Sequence, residues 1–533
     1  MHPTSLPGPY GIGDAGPQAR AFVDWLAKGK MRVWQVLPLV PPGRPIPGAR
    51  EDYWSPYSGR DAYCGNALII SLDDLAVDGL LKREDLPEAY GGCANVDFGR
   101  VAATNEPLIE KAAKKLVSME RGSGGLRGEY DAFCAREDVK AWLDPAATFD
   151  AIDTVPELVG KYWWDWPAEY RDRREDALAA IEREKADSIE VFKATQFLFH
   201  VQWIRLKKYA NSKGISLVGD MPIYVGGHSA DVWANQHLFL LGDDKKPSAL
   251  AGVPPDAFSD DGQLWGNPLF DWNAHAATDY AWWAQRLRRT LELHDEVRID
   301  HFRAFAAYWE VEAGAPTAKS GRWMVGPGVD MFKKLKSTLG DAKIVAEDLG
   351  VITADVVELR EACGFPGMVV LQFAWGGDGR NPHLLHNHYE NSFCYPGTHD
   401  NETSQGWYAQ QDEAVKRRLE AYAGIAYGDG AWGMIKAGMS SVSKACVFTM
   451  QDVLALGNEA RMNTPGVADG NWSWRVGEPG VFDTLDAEAH KIASLATVYD
   501  RVATVDDASM RDSCHAVAGK GRGGIFGLGF GIF

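Results

Sequence analysis

The sequence predicts an α/β chain folded as a (β/α)8 barrel with large, mostly helical insertions. Three observations predict it. Short apolar runs such as Val33-Trp34-Gln35-Val36-Leu37-Pro38-Leu39 and Ile215-Ser216-Leu217-Val218-Gly219 read as strands buried on both faces. From residue 296 onward such runs alternate with helical patterns, which means a parallel sheet. Acidic residues stand at the C-terminal ends of the strands (Asp220, Asp300, Glu347, Asp400), the face on which such barrels carry their chemistry. A doubly wound open sheet is the runner-up, but no G-x-G-x-x-G or G-x-x-x-x-G-K-[ST] follows the first strand.

Residues 3–17 are dense in Pro and Gly and must form loop and turns. Residues 18–28 carry Phe22, Trp25 and Leu26 at helical spacing, and 33–39 is the first buried strand. A loop with Ser55-Pro56-Tyr57-Ser58 follows, then a short strand at 67–72. Residues 1–72 thus open the barrel. From 73 to 190 charge dominates without a buried strand, and Trp163, Trp164 and Trp166 punctuate the stretch; it reads as an inserted helical subdomain. The rest of the barrel takes residues 191–500. It starts with a helix at 191–209 and a strand at 215–225 that delivers Asp220. A loop-rich insertion at 226–272 follows, whose segment 254–268 is long irregular loop of the functional kind. Then come a helix at 280–293 and strands at 296–300, 343–347, 367–374, 392–398 and 445–454, with helices at 331–339, 354–363 and between 404 and 440. Counted strands lie near 33, 215, 296, 343, 368, 392 and 445; an eighth should precede residue 3, so the first barrel strand is expected to be missing from this chain. Residues 501–533 end in a Gly/Phe-rich tail expected to be disordered.

The chain has 533 residues, 46% hydrophobic and 24% charged, an ordinary globular composition. A net charge of -18 disfavours nucleic acid and anionic membrane surfaces. Its 20 tryptophans suit stacking on sugar rings, so carbohydrate is a candidate ligand. The 7 cysteines are odd in number and none sits at C-x-x-C spacing, which argues against a disulfide framework and a zinc site. No apolar run reaches a membrane span and no signal pattern opens the chain, which reads as soluble and unexported.

The chemistry gathers at three strand ends. In Glu296-Val297-Arg298-Ile299-Asp300-His301-Phe302, alternation sends Arg298 and Asp300 to one face, where the guanidinium should hold the carboxylate ionised. In Lys343-Ile344-Val345-Ala346-Glu347-Asp348, apolar strand neighbours should desolvate Glu347 and raise its pKa. In Pro396-Gly397-Thr398-His399-Asp400-Asn401-Glu402, Asp400 could bond sugar hydroxyls. An ionised attacker and a protonated acid suit glycosidic-bond chemistry; the same carboxylates could instead hold Mg²⁺, and spacing does not choose. Trp25, Trp34 and Trp203 read as core and Trp265 as a ligand contact; Asp348 reads as facing away, and Glu402 as supporting the site from outside it.

Taken together, these motifs resemble the amylomaltases, the 4-α-glucanotransferases or disproportionating enzymes of glycoside hydrolase family 77. His2-Pro3-Thr4-Ser5-Leu6-Pro7-Gly8, Trp34-Gln35-Val36-Leu37-Pro38-Leu39, Ser55-Pro56-Tyr57, Gly219-Asp220-Met221-Pro222-Ile223-Tyr224-Val225 and Gly397-Thr398-His399-Asp400-Asn401-Glu402-Thr403 agree with them, over residues 2 to about 500. Val40-Pro41-Pro42 and Cys64-Gly65-Asn66-Ala67-Leu68-Ile69-Ile70-Ser71-Leu72 look most like the plant and algal plastid branch. The resemblance implies Asp300 as nucleophile, Glu347 as acid/base and Asp400 as transition-state stabiliser. It implies that Tyr57, Asp220, Arg298, His301 and His399 line the cleaved subsite, and that Trp265 covers the acceptor side. It further implies maltooligosaccharides and starch-derived α-glucans as substrates, no organic cofactor, no catalytic metal, and a plastid location whose transit peptide this chain lacks. It leaves an α-amylase-type hydrolase and a non-catalytic glucan-binding protein as alternatives, and the oligomeric state open.

Overall fold

The computed structural model describes residues 1–46, 54–90, 94–255, 259–467 and 469–502. Its strands, in chain order, are β1 (Val33–Gln35), β2 (Ser216–Met221), β3 (Ala249–Val253), β4 (Gln263–Pro268), β5 (Glu296–Ile299), β6 (Ala307–Glu312), β7 (Arg322–Val325), β8 (Ile344–Ala346), β9 (Gly367–Val370), β10 (Ser392–Tyr395) and β11 (Ala445–Cys446). β1, β2, β5 and β8 form one parallel sheet in that order. β9, β10 and β11 form a second parallel sheet. The Ala346 N–H donates to Pro366 O across 2.9 Å, which joins β8 to the start of β9. The barrel strands β2, β5, β8, β9 and β10 are short and buried, as the continuous apolar runs require. Among the described residues no strand joins β11 to β1. There Met1 lies against β1, its carbonyl accepting from Trp34 Nε1 at 2.6 Å. A cavity of about 90 Å³ is lined by Met1, Gln35, Arg298, Met368 and Tyr395.

Helices pack around this barrel. The longest, Ala186–Ser212, buries Phe197, Phe199 and Trp203, and the Trp203 Nε1–H donates to Leu293 O at 2.9 Å. Two of its buried glutamines bind a loop rather than another side chain. Gln196 accepts from the Gly65 N–H at 2.7 Å and donates back to Gly65 O at 3.2 Å; Gln202 does the same to Ser71, at 2.7 and 3.1 Å. The loop's buried backbone groups are thereby paired without a strand partner. Phe98–Ser118, Gly125–Ala135, Glu137–Asp153 and Glu175–Glu184 lie on the same side, and the apolar cluster of this region is continuous with that of the barrel. Trp25 and Trp34 are core residues, as expected. No described helix is long and apolar enough to cross a membrane.

Several expectations are corrected. Residues 67–72 are not a strand: Ala67–Ile69 is a 3-10 turn and Leu72–Val77 a helix. Asn66 and Ser71 side chains accept from the Leu68 and Asp74 N–H groups, and these caps outweigh the β-branched Ile69-Ile70 pair. The strands expected at 33–39, 367–374 and 392–398 end at Gln35, Val370 and Tyr395, two of them just ahead of a proline-containing turn. The strand expected at 445–454 is Ala445–Cys446 alone; Thr449 caps a helix, Met450–Val453. Residues 226–272 are not merely loop. β3 and β4 join β6 and β7 in an antiparallel sheet of order β4-β3-β6-β7, so Trp265 stands on a strand. The small residues of β3 concealed its alternation. Residues 256–258 of the segment 254–268, and the tail from 503, lie outside the described residues.

Replacing Gln202 with Leu keeps the volume but strands the Ser71 N–H and C=O. The expected cost is about 2 kcal/mol, read as a shift in the urea unfolding midpoint.

Candidate active site

The site grows from the register of β2, β5 and β8. Asp220 on β2 lies directly opposite Arg298 on β5. The Arg298 Nη1 group donates to both Asp220 oxygens at 2.7 Å, and Nη2 donates to Asp300 Oδ1 at 2.8 Å. One guanidinium, only 4% exposed, therefore bridges two carboxylates. The Tyr57 hydroxyl donates to Asp220 Oδ2 at 2.7 Å, and the Tyr57 ring stacks on His399 with centroids 5.3 Å apart and planes 12° apart.

One step up the barrel, Ile299 pairs with Ala346, and Asp300 and Glu347 follow each as the next residue. The ladder reaches them: the Asp300 N–H donates to Met221 O and the Glu347 N–H to Ile299 O, both at 3.0 Å. Glu347 is held by backbone. Oε2 accepts from the His301 N–H at 2.6 Å and Oε1 from the Leu349 N–H at 2.9 Å. His301 sits in the left-handed region with φ 53°, uncommon for a residue with a side chain. The Trp265 ring stands edge-on to His301 at 4.8 Å, its Nε1–H donating to Gln263 Oε1 at 3.1 Å.

Asp400 comes from the loop after β10. Oδ1 accepts from Asn463 Nδ2 at 2.6 Å, its carbonyl from Arg461 Nη2 at 2.7 Å, and Oδ2 lies 3.3 Å from His399 Nε2. Trp472 leans on both Tyr57 and His399, at 5.7 and 6.0 Å. Sequence reasoning missed Arg461, Asn463 and Trp472. The signal was there, a run Gly470-Asn471-Trp472-Ser473-Trp474 in which tryptophans alternate inside a turn-rich stretch. Asp348 does face away, pairing with Arg360 at 3.2 Å and accepting from the Met368 N–H. Glu402 accepts from Gln410 and Asn458, and it lines the same cavity as Arg298 and His399.

Burial, then the charge of Asp300, pushes Glu347 up to about 8, against Arg298 and the two backbone donors. At neutral pH it carries a proton. Arg298 acts on Asp300 in the expected direction, but burial first, and Asp220 and Asp400 with it, push the carboxyl up against that guanidinium. Burial and the Asp300 charge thus favour the proton on Glu347, while the Arg298 contact favours the ionised form of Asp300. Burial drives His301 down to about 3, so its ring is neutral. Burial also lifts the Tyr57 hydroxyl, which therefore donates.

An α/β barrel with two carboxylates side by side at adjacent strand ends, under an aromatic rim, has the architecture of an enzyme acting on glycosidic bonds. Comparison with known proteins narrows this. The family model described as 4-alpha-glucanotransferase matches residues 1–479. The 4-alpha-glucanotransferase, chloroplastic/amyloplastic, of Solanum tuberosum is 48% identical over 94% of this chain and 86% of its own. The corresponding Arabidopsis thaliana protein is 47% identical over 94% of this chain and 85% of its own. Among solved structures, amylomaltase from Streptococcus agalactiae in complex with acarbose superposes with a TM-score of 0.87 at 35% identity, over 94% of this chain and 99% of that one. The chain belongs to the 4-α-glucanotransferase family. It is an enzyme that transfers α-glucan segments.

The folded chain keeps the Glu347 proton at pH values where an ordinary glutamate, at 4.5, has lost it. Its contribution to stability is therefore full at acid pH and is lost as pH rises through about 8. kcat/KM is expected to fall on the same alkaline limb, and Asp300→Asn to move the Glu347 carboxyl band to lower pH in infrared titration.

Proposed function

We propose that this enzyme disproportionates maltooligosaccharides and starch-derived 1,4-α-glucans by a retaining double displacement. The observation that carries this reading is the register. Asp300 and Glu347 each follow the paired residues Ile299 and Ala346. Neighbouring strands lie about 4.8 Å apart. That spacing suits a carboxylate that attacks the sugar directly, rather than one that leaves room for a water between.

In the proposed reaction Asp300, held ionised by the Arg298 guanidinium, attacks the anomeric carbon while Glu347 protonates the departing 4-oxygen. The covalent glycosyl ester forms and the aglycone leaves. Glu347, now ionised, takes the proton from the 4-hydroxyl of an incoming glucan, whose oxygen displaces Asp300 with a second inversion. Asp400, with His399, binds hydroxyls of the distorted ring; Tyr57, Asp220 and Arg298 fix the floor of the cleaved subsite. His301 and Trp265 stand on the acceptor side and keep the glycosyl ester from water while a glucan docks. The acarbose complex of the Streptococcus agalactiae amylomaltase supports an oligosaccharide ligand. The chloroplastic/amyloplastic names of the plant relatives support a plastid location.

Incubation with maltotriose alone is expected to yield glucose and a ladder of longer maltooligosaccharides by chromatography. Glucose and maltose without a ladder would make the protein a hydrolase. Glu347→Gln is expected to slow transfer by about 10²–10⁴-fold. Asp300→Asn should abolish it, and full transfer in that variant would overturn the scheme.

A further inference from the structure

The small sheet that carries Trp265 holds another tryptophan with no place in the site described so far. Among the described residues Trp323, on β7, is the exposed tryptophan, at 40%. Its ring is not loose. The Arg303 guanidinium lies 3.9 Å from the ring centroid, and Trp309 from the adjoining strand packs its edge against it at 5.1 Å and 67°. Arg303 is itself buried, and its Nη1 group donates to Val351 O. Arg303 stands three residues beyond Asp300 and Val351 four beyond Glu347. A single buried cation thus ties the indole to the two loops that carry the paired carboxylates. Val351, whose carbonyl takes that Arg303 bond, and Val325, two residues along β7, are also exposed.

A held, exposed indole with apolar neighbours marks a contact surface. Because the ring is already ordered, binding to it costs little conformational entropy. A chain of net charge -18 disfavours anionic partners on electrostatic grounds. The hydrogen-carrying face of a neutral sugar ring matches an indole. The loop bearing Val351 follows Glu347, the residue assigned to the departing oxygen, and Trp323 shares its sheet with Trp265, the residue assigned to the acceptor side. Resting on the transfer reaction proposed above, we infer that Trp323 is a remote platform for the acceptor-side chain of a 1,4-α-glucan, with Arg303 as the positioning residue that holds its ring. Short oligosaccharides end before reaching it; long ones stack on it.

The test compares maltoheptaose with maltotriose in the full-length enzyme. In Trp323→Ala the ratio of kcat/KM for the long over the short substrate is expected to fall about five- to tenfold. Trp323→Phe, which keeps a flat ring on Arg303, should retain most of the ratio. An unchanged ratio in Trp323→Ala, or an equal loss on both substrates, would overturn the platform. If the wild-type enzyme makes no ladder from either substrate, the transfer reading fails instead. Titration calorimetry with maltoheptaose then still decides the platform: a Kd five- to tenfold weaker in Trp323→Ala supports it, and an equal Kd overturns it.

Discussion

The Arg298 guanidinium is the charge around which the cleft is built. It is buried, opposite Asp220 in the ladder, and in contact with Asp300. An isolated buried cation would be costly, and so would either carboxylate alone. Together they are tolerable, and Tyr57 completes the set from a loop distant in sequence. The position of the attacking carboxylate is therefore not a rotamer choice left to Asp300. It follows from strand register and from a cation that has nowhere else to go. The difference between Asp300 and Glu347 has the same root. Both are desolvated, but only Asp300 touches the guanidinium, while Glu347 has backbone N–H groups for company.

Barrel chemistry is often described as loops decorating a rigid frame, and here the frame reaches further into the site than that. Asp220 and Arg298 lie within strands, and Asp300 and Glu347 accept the next rung of the ladder. Only Asp400 depends on loops, and it is pinned by Arg461 and Asn463 from a later segment. The rim is different again. Trp265 sits on an antiparallel sheet outside the barrel, so the aromatic cover and the carboxylates belong to separate pieces of β-structure.

Much of this was legible in the chain. The parallel strands announced themselves as apolar runs, and Asp300 and Glu347 stand at strand ends where periodicity put them, while Asp400 lies in the loop beyond β10. The failures share a physical cause. Residues 67–72 look like a strand because Ile69 and Ile70 are β-branched, but local side-chain caps from Asn66 and Ser71 decide the backbone. β3 escaped notice because Ala and Gly leave no alternation to read. For Asp300 the sequence shows the neighbouring Arg but not the burial that works against it. Arg461, Asn463 and Trp472 were missed because their link to Asp400 is purely tertiary.

That last link has a consequence for how the enzyme comes to life. The carboxylate pair is complete once residue 347 has been made, yet Asp400 acquires its clamps and Tyr57 its cover only from residues 461, 463 and 472. During synthesis the nascent chain carries its nucleophile long before it carries a finished cleft. A ribosome that stalls between residues 400 and 461 releases a polypeptide with all three carboxylates and without the two side chains that clamp Asp400.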